Sequence, residues 1–477
     1  MVATASPFPA TGAYVPAPDA YDEAFAARGS PRPHYVGMLA ALAGTDLTAL
    51  TAAIGGDLER RGVRFGGADG FTPFHVDAIP RILPADEWRS LSSALVQRTR
   101  ALNAFVADVY GPREIVAAGV VPEHLIDTAP HLEALAAEIP PSPAQPVLVA
   151  GLDVVREPGG DFRVLEDNVR TPSGLAYAAA TRDAVAAAHP AQKLEVSASP
   201  DGAIAALAGA LAAAAPTGQD PAPVLLSDGD EDPAFFEHRA LSAALGVPLV
   251  TRRDLRARGN RLWARPHGER RARPANVVYR RTSESRLTRP DGALTALAEV
   301  VLGPLQAGQA TCANAFGAGV ADDKLAHAYV DDMVRHYLGE EPLIRGVRTY
   351  DVTSPDTRAR VLDRIGELVV KPRGGYGGRG VVVCAHATDG DRRRAAALVR
   401  SEPTQCVAQE MVRLSCHPTV VGRRLAPRHV DLRPFVISVP GEDAVVCAGL
   451  TRVALDEGSL VVNSSQRGGA KDTWVLQ

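Results

Sequence analysis

Leu368-Val369-Val370-Lys371-Pro372-Arg373-Gly374-Gly375-Tyr376-Gly377-Gly378-Arg379-Gly380 reads as an apolar strand that ends on a lysine and runs into a glycine loop. Val381-Val382-Val383 follows as a second strand. A loop with so few side chains lets backbone N–H groups come close to an anion. Lys371, at the mouth of that loop, reads as a phosphate contact. The composition sharpens the point, because the chain uses four lysines against 47 arginines. A lysine kept under that bias marks a place where a compact point charge is needed and a planar guanidinium is not. Lys324 sits in Gly319-Val320-Ala321-Asp322-Asp323-Lys324 and Lys471 in Arg467-Gly468-Gly469-Ala470-Lys471, while Lys193 matches no motif. Lys324 and Lys371, from separate segments, can hold adjacent phosphates while Gly374, Gly375, Gly377 and Gly378 cover the rest. Standing alone, a glycine loop is equally an ordinary hairpin turn.

Three further constellations lie outward from this stretch. Val147 to Val155 and Phe162 to Glu166 form a hairpin turned by Pro158-Gly159-Gly160-Asp161. Asp153 lies on its first strand, and Glu166 and Asn168 share one face of the second at i, i+2. Three oxygen donors on neighbouring strands suit Mg²⁺, which takes a few carboxylates plus phosphate and water oxygens; an Asp and an Asn beside a turn are also common turn formers. In Arg428-His429-Val430-Asp431-Leu432-Arg433-Pro434-Phe435-Val436 the polar residues His429, Asp431 and Arg433 alternate. That face is either a surface ion pair of small worth or a wall of a nucleotide site, continued by Arg452, Asn463 and Arg467. Gln409-Glu410-Met411-Val412 follows a β-run, where backbone groups could pair with an adenine edge or simply end a strand.

The bulk numbers set the frame. A chain of 477 residues holds two to four domains. Net charge −4 and pI near 6.3 give no basic footprint for nucleic acid. Five cysteines without CxxC spacing argue against zinc and for a reduced compartment. The longest apolar stretch, Ala203 to Ala215, is too short to span a membrane. Residues 1–20 read as a flexible tail without a signal-peptide pattern, which points to the cytoplasm. Residues 21–145 read as mostly helical, with one helix from Asp86-Glu87-Trp88 to Tyr110 stopped by Gly111-Pro112. Residues 146–200 carry the metal hairpin. Residues 201–315 read as half of a doubly wound α/β unit, with a strand from Val224, a helix ended by Gly246, a weak hairpin between Arg252 and Arg273, and a strand ending at Arg280-Arg281. Residues 316–415 form the nucleotide subdomain and 416–477 the last core strands.

Together these parts resemble the ATP-grasp ligases. In the ribosomal-protein glutamate ligases of that superfamily the Glu-x-Asn metal motif comes near the end, whereas here Asp153, Glu166 and Asn168 come first. That is the order of a circular permutation. Arg32-Pro33-His34-Tyr35, Arg100-Ala101-Leu102-Asn103-Ala104-Phe105, Leu165-Glu166-Asp167-Asn168, the Lys324 segment and Asn463-Ser464-Ser465-Gln466 resemble the bacterial circularly permuted ATP-grasp type 2 family. Glutathionylspermidine synthetase domains are more distant relatives. Gly151-Leu152-Asp153 lacks their Arg two residues before the Asp, and no amidase half with its cysteine is seen.

The resemblance implies an α/β (α+β) fold with a Rossmann-like pre-ATP-grasp unit. It implies an ATP- and Mg²⁺-dependent ligase that joins a peptide or small-metabolite carboxylate to an amine through an acyl phosphate. ATP would be held by Lys324, Lys371, Gly374, Gly375, Gly377, Gly378, Gln409, Glu410, Val412 and Asp431, and Mg²⁺ by Asp153, Glu166 and Asn168. Arg433 and Lys371 would act in catalysis, and Arg280, Arg281, Arg452 and Arg467 would meet substrate. A phosphotransferase and a non-catalytic, nucleotide-switched assembly partner remain as alternatives. An α-helical protein encoded nearby is the expected partner.

Overall fold

The computed structural model describes the chain except residues 1–13, 28–29, 68–69, 143, 192–197, 283–285, 376–377, 442–443, 461, 463–467 and 477. Its centre is an eight-stranded sheet. Seven strands run side by side in the order Arg345–Gly346, Phe162–Asn168, Val149–Arg156, Arg424–Ile437, Val445–Val453, Gly469–Val475 and Val76–Leu83, and Cys416–Val421 adds to the Arg424 strand. All eight residues of Val149–Arg156 are buried. A strand covered on both faces needs a near-continuous apolar run rather than alternation, which is how VAGLDVVR reads. The alanine-rich helices Leu175–Ala188 and Pro200–Ala213 pack on one face with Val149, Phe435 and Leu450. The long helix Ala85–Val109 packs on the other with Leu152, Val154 and Leu432. Asp86 and Glu87 open that helix, where negative charge complements the helix dipole.

Two smaller sheets flank the centre. Thr349–Tyr350, Cys406–Glu410, Leu368–Pro372 and Val382–Val383 form an antiparallel sheet. Helices Pro355–Asp363 and Asp389–Ser401 cover it through Val361, Ala395 and Val399. Thr311–Ala313, Val277–Arg281, Pro223–Ser227 and Leu249–Val250 form a parallel sheet, the doubly wound half expected from the sequence. Gly246 ends its helix Phe235–Leu245 with φ 65°, a left-handed conformation that favours glycine.

The stretch 21–145 is mainly helical, with Leu47–Arg60 and Ala85–Val109 its longest helices, and it also supplies Val76–Leu83, an edge strand of the central sheet parallel to Gly469–Val475.

Candidate active site

The hairpin and the wall strand are neighbours. Asp153 stands opposite Glu166, and the Asp431-bearing strand pairs with the Asp153 strand through Leu432 and Val154. The glycine loop belongs to the small antiparallel sheet, yet its lysine meets the hairpin. Glu166 Oε1 lies 3.5 Å from Lys324 Nζ and 3.7 Å from Lys371 Nζ. Lys324 also donates to the Gly375 carbonyl at 2.6 Å. Glu166, Asn168, Lys324, Gly375, Gln409 and Arg433 line one cavity between the two sheets. Gln409 bridges them, donating to Thr349 Oγ1 at 2.9 Å and to the Leu165 carbonyl at 3.4 Å.

Lys371 is 6% exposed. Burial pulls its pKa below the ordinary lysine value and Lys324 adds repulsion, while Glu166 pulls the other way. Such a cation awaits more negative charge than the chain itself supplies. The loop must lie close to its surroundings at Gly374, where a Cβ would stand 2.9 Å from Pro130 Cβ.

Arg433 is fixed by Asp153. Its Nε and Nη2 donate to the two Asp153 oxygens at 2.7 and 2.9 Å, and Nη1 donates to the Ser173 carbonyl at 3.2 Å. Arg452 stands 2.9 Å from the same carboxylate and also donates to Asp431 at 2.8 Å. Burial acts against ionised Asp153, but the two guanidiniums hold its carboxyl well below the usual range. Asp431 is fully enclosed, and burial pushes its carboxyl up in spite of Arg452. Asp153 and Asp431 are therefore committed to arginines, whereas Glu166 faces the cavity, and its ion pairs among the described residues are with the two lysines.

The remaining sequence candidates divide. Glu410 is bonded to Tyr350 and to Arg364 at 3.0 and 3.2 Å and is not among the cavity's lining residues. Val412 is half-buried against a small cluster with Val155 and Val347. Arg281 is tied to Glu237 at 3.0 Å and to the Pro172 carbonyl at 2.7 Å. Arg280 is buried beside it in the same strand. Gly378, in the loop, has φ 73°. Gly377, Asn463 and Arg467 lie outside the described residues. Lys471, the other lysine in a motif-like segment, has its buried ammonium paired with Asp77 and donating to the Pro418 carbonyl at 3.2 Å, which makes it a core group of the central sheet.

Several residues that place the site were not singled out. Arg98 grips Asp167 through Nε and Nη2 at 2.7 and 2.8 Å, and His327 Nδ1 lies 2.6 Å from the same carboxylate. Asp322 accepts from the Val169 N–H at 2.7 Å and from Arg170 Nε at 2.7 Å. Asp323 caps the short helix Lys324–His327 and accepts from Arg373. The Asp-Asp pair before Lys324 was the signal available; its partners lie far away in sequence. Arg98 and His327 hold Asp167 far below the ordinary carboxylate range, against its burial. The sign follows: this stabilisation is full above the unfolded value near 3.9 and is lost as pH falls through the depressed folded value. Asp167→Asn should cost about 3 kcal/mol near neutrality, and its deficit against the parent should shrink below about pH 4. Urea midpoints across pH check this; an equal deficit at neutral and acid pH contradicts it.

The family model for circularly permuted ATP-grasp type 2 matches residues 80–454. An uncharacterised protein of Mycobacterium tuberculosis is 40% identical over 469 residues, covering 96% of this chain and 84% of that protein. A Frankia casuarinae protein, provisionally named glutamate–cysteine ligase 2-2, is 42% identical over 471 residues; the match covers 96% of this chain and 54% of that protein, so the name belongs to a chain about twice the matched length. In fold, a glutathione synthetase-like effector of Globodera pallida, solved in the apo form, aligns with TM-score 0.57 at 11% identity over 90% of this chain and 96% of its own. With its lysines, glycine loop and carboxylate hairpin converging on one cleft in permuted order, the chain belongs to the circularly permuted ATP-grasp type 2 family.

Proposed function

We propose that the protein is an ATP- and Mg²⁺-dependent carboxylate–amine ligase that works through an acyl phosphate. The observation that carries the reading is the meeting of Lys324 and Lys371 with Glu166, between two sheets, with Arg433 locked beside them. Two cations under a glycine loop suit a polyphosphate. Glu166 and Asn168 suit Mg²⁺: among the described residues Glu166 has no arginine partner, and the buried Asn168 Nδ2 has no hydrogen-bond partner, so its amide is free to turn its oxygen to a ligand. Among the described residues no cluster of three or more His, Cys, Asp or Glu is arranged for a metal. The protein's share of the shell is then Glu166 and Asn168, with phosphate and water oxygens completing it, and Asp153 acts by orienting Arg433. When bound, Mg²⁺ would neutralise charge on the phosphates.

The chain's own residues supply the rest. Lys324 and Lys371 neutralise the transferring phosphate, and Arg433, its Nε–Nη2 edge held by Asp153, turns its remaining Nη1 and Nη2 hydrogens to the carboxylate as it takes the phosphoryl group. A pre-fixed guanidinium needs no reorganisation when charge develops, which is where most of the rate comes from in this chemistry. An amine then attacks the acyl carbon and phosphate leaves.

Hydroxylamine tests the reading with carboxylic acid pools as donors. ATP-dependent hydroxamate formation is the expected result. A stable phosphorylated product would indicate a phosphotransferase, and nucleotide binding without turnover a switch; either outcome would overturn the ligase reading. Glu166→Gln should keep its fold and need about tenfold or more Mg²⁺ for half-maximal activity, since one carboxylate is a large part of the protein's share. An unchanged Mg²⁺ requirement in that variant would remove Glu166 from the metal site.

A further inference from the structure

Another groove, of 680 Å³, shares no lining residue with the cavity of the candidate active site. Three elements build it. Arg60 closes the helix Leu47–Arg60, and Arg61 follows it. The hairpin of Arg64–Gly67 with Gly70–Pro73 contributes Arg64 and Phe71. Helix Phe235–Leu245 contributes Phe236, Arg239, Ala240 and Ala243, which recur at i, i+3, i+4 and i+7 and so form one face. The hairpin is held in place by two bonds. The Gly66 N–H donates to the Pro233 carbonyl just before that helix at 3.0 Å, and the Tyr177 hydroxyl donates to the Arg64 carbonyl at 3.0 Å. Buried Tyr177 also packs its ring 5.3 Å from Phe236 and 4.8 Å from Phe74, centroid to centroid. The groove is therefore preformed.

Its lining is one-sided in charge. Four arginines and three phenylalanines face it, and no Asp or Glu does. Arg60 and Arg61 are partly answered from outside the lining, by Asp57 at 3.0 Å and by Asp183 at 2.8 Å. Arg64 and Arg239 are both exposed, and among the described residues neither is paired with a carboxylate. The Arg64 guanidinium instead lies over the Phe71 ring, 3.7 Å from its centroid, an arrangement that keeps cation and ring together. Phe71 still remains 47% exposed. Arginine and aromatic residues in the absence of acids are the composition that marks the centre of protein–protein contacts. Here that composition sits on a chain whose net charge is −4, so the groove is a local positive field on an acidic protein.

We propose that this groove docks a partner protein through an acidic segment that carries an aromatic side chain. The carboxylates of the segment meet Arg64 and Arg239, and its ring packs against Phe71 and Phe236. Charge complementarity selects this occupant. A nucleic acid would need basic groups tracking its backbone over several phosphates, whereas these four arginines are confined to one groove and two of them already face carboxylates. The proposal does not depend on the ligase reading.

Fluorescence polarisation with the full chain tests it. The probe is a fluorescein-labelled Glu-Glu-Phe-Glu-Glu peptide, and Gln-Gln-Phe-Gln-Gln and Glu-Glu-Ala-Glu-Glu, labelled in the same way, are the controls. The probe is expected to bind about tenfold or more tightly than the Gln peptide and more tightly than the Ala peptide. Raised ionic strength should weaken it, because the pairs are exposed. Arg64→Gln and Arg239→Gln should each weaken the probe about fivefold, the upper scale for one exposed ion pair. Both variants should melt with the parent, since the side chains are exposed, so weaker binding reports on the groove and not on the fold. Arg393→Gln, on the exposed side of helix Asp389–Ser401 and outside the groove, should bind the probe as the parent does. The proposal is overturned if either control peptide binds as tightly as the probe, or if Arg393→Gln weakens binding as much as the groove variants do. It is also overturned if labelled decathymidylate binds more tightly than the probe and loses affinity in the same two groove variants, which would make the groove a nucleic-acid site.

Discussion

Lys371→Met is expected to lower ATP-dependent turnover by about 10²- to 10³-fold, the usual effect of deleting one preorganised charge donor, while the nucleotide-free protein melts at or above the parent temperature. The ammonium is buried and its nearest acid, Glu166, stands 3.7 Å away and is shared with Lys324 at 3.5 Å. Burial already pulls the lysine pKa down, so the fold holds this charge at a cost. Methionine keeps the stem volume and removes the charge, and Glu166 retains Lys324. Replacing a poorly paired buried ion by an apolar side chain of similar volume is neutral or stabilising. Turnover rate, KM for ATP and Tm measured on one preparation decide the matter. A large drop in Tm with turnover intact would make Lys371 a structural lysine.

Arg373→Met, two residues along, should do the opposite and cost about 3–5 kcal/mol of stability. Its guanidinium is fully enclosed, and every branch is used. Nε donates to both Asp323 oxygens at 3.1 Å, Nη1 to Thr128 Oγ1 at 2.6 Å and the Thr404 carbonyl at 2.9 Å, and Nη2 to the Leu125 carbonyl at 3.0 Å. Methionine would leave the Asp323 carboxylate enclosed, with the Leu325 N–H at 2.9 Å as its remaining partner among the described residues. Asp323 caps the helix that begins at Lys324, so the loop and the second lysine would both lose their seat. The urea midpoint should fall with the m-value unchanged. Arg373→Lys should recover little, because an ammonium cannot reproduce the fork. A loss below about 1 kcal/mol, the scale of an exposed pair, would show the network to be idle.

These two residues also show what a sequence can and cannot disclose. The lysine, its glycines and the Asp153–Glu166 hairpin are local patterns: a strand end, a turn, and an i, i+2 face. They could be read without knowing what lies opposite, and the parallel unit at Pro223–Arg281 was legible for the same reason. Arg373 looks like one more arginine in an arginine-rich chain, and its role comes from Asp323 and Thr128, which only the fold brings near. Arg98 with Asp167, and Asp322 with Arg170, are hidden in the same way. Asp153 had the right place but a different neighbour, since two arginines on adjoining strands take its carboxylate. Val76-Asp77-Ala78-Ile79-Pro80-Arg81-Ile82-Leu83 escaped because a strand buried throughout shows no alternation, and periodicity cannot separate it from a buried helix. Composition marked Lys471 as a place for a compact point charge, and it is one, as a core ion pair with Asp77 that the sequence alone does not reveal.

In this reading a permuted chain order builds one nucleotide site from Glu166 on the central sheet and Lys324 and Lys371 from the other side of the cleft. A crystal structure with Mn²⁺ and a non-hydrolysable ATP analogue, with the metal located by anomalous scattering, tests it most directly. The account predicts the Mn²⁺ peak within coordination distance of Glu166, with the phosphates between it and the two lysines and the glycine loop over them. A metal peak away from Glu166, or a nucleotide bound where its phosphates reach neither lysine, would contradict it.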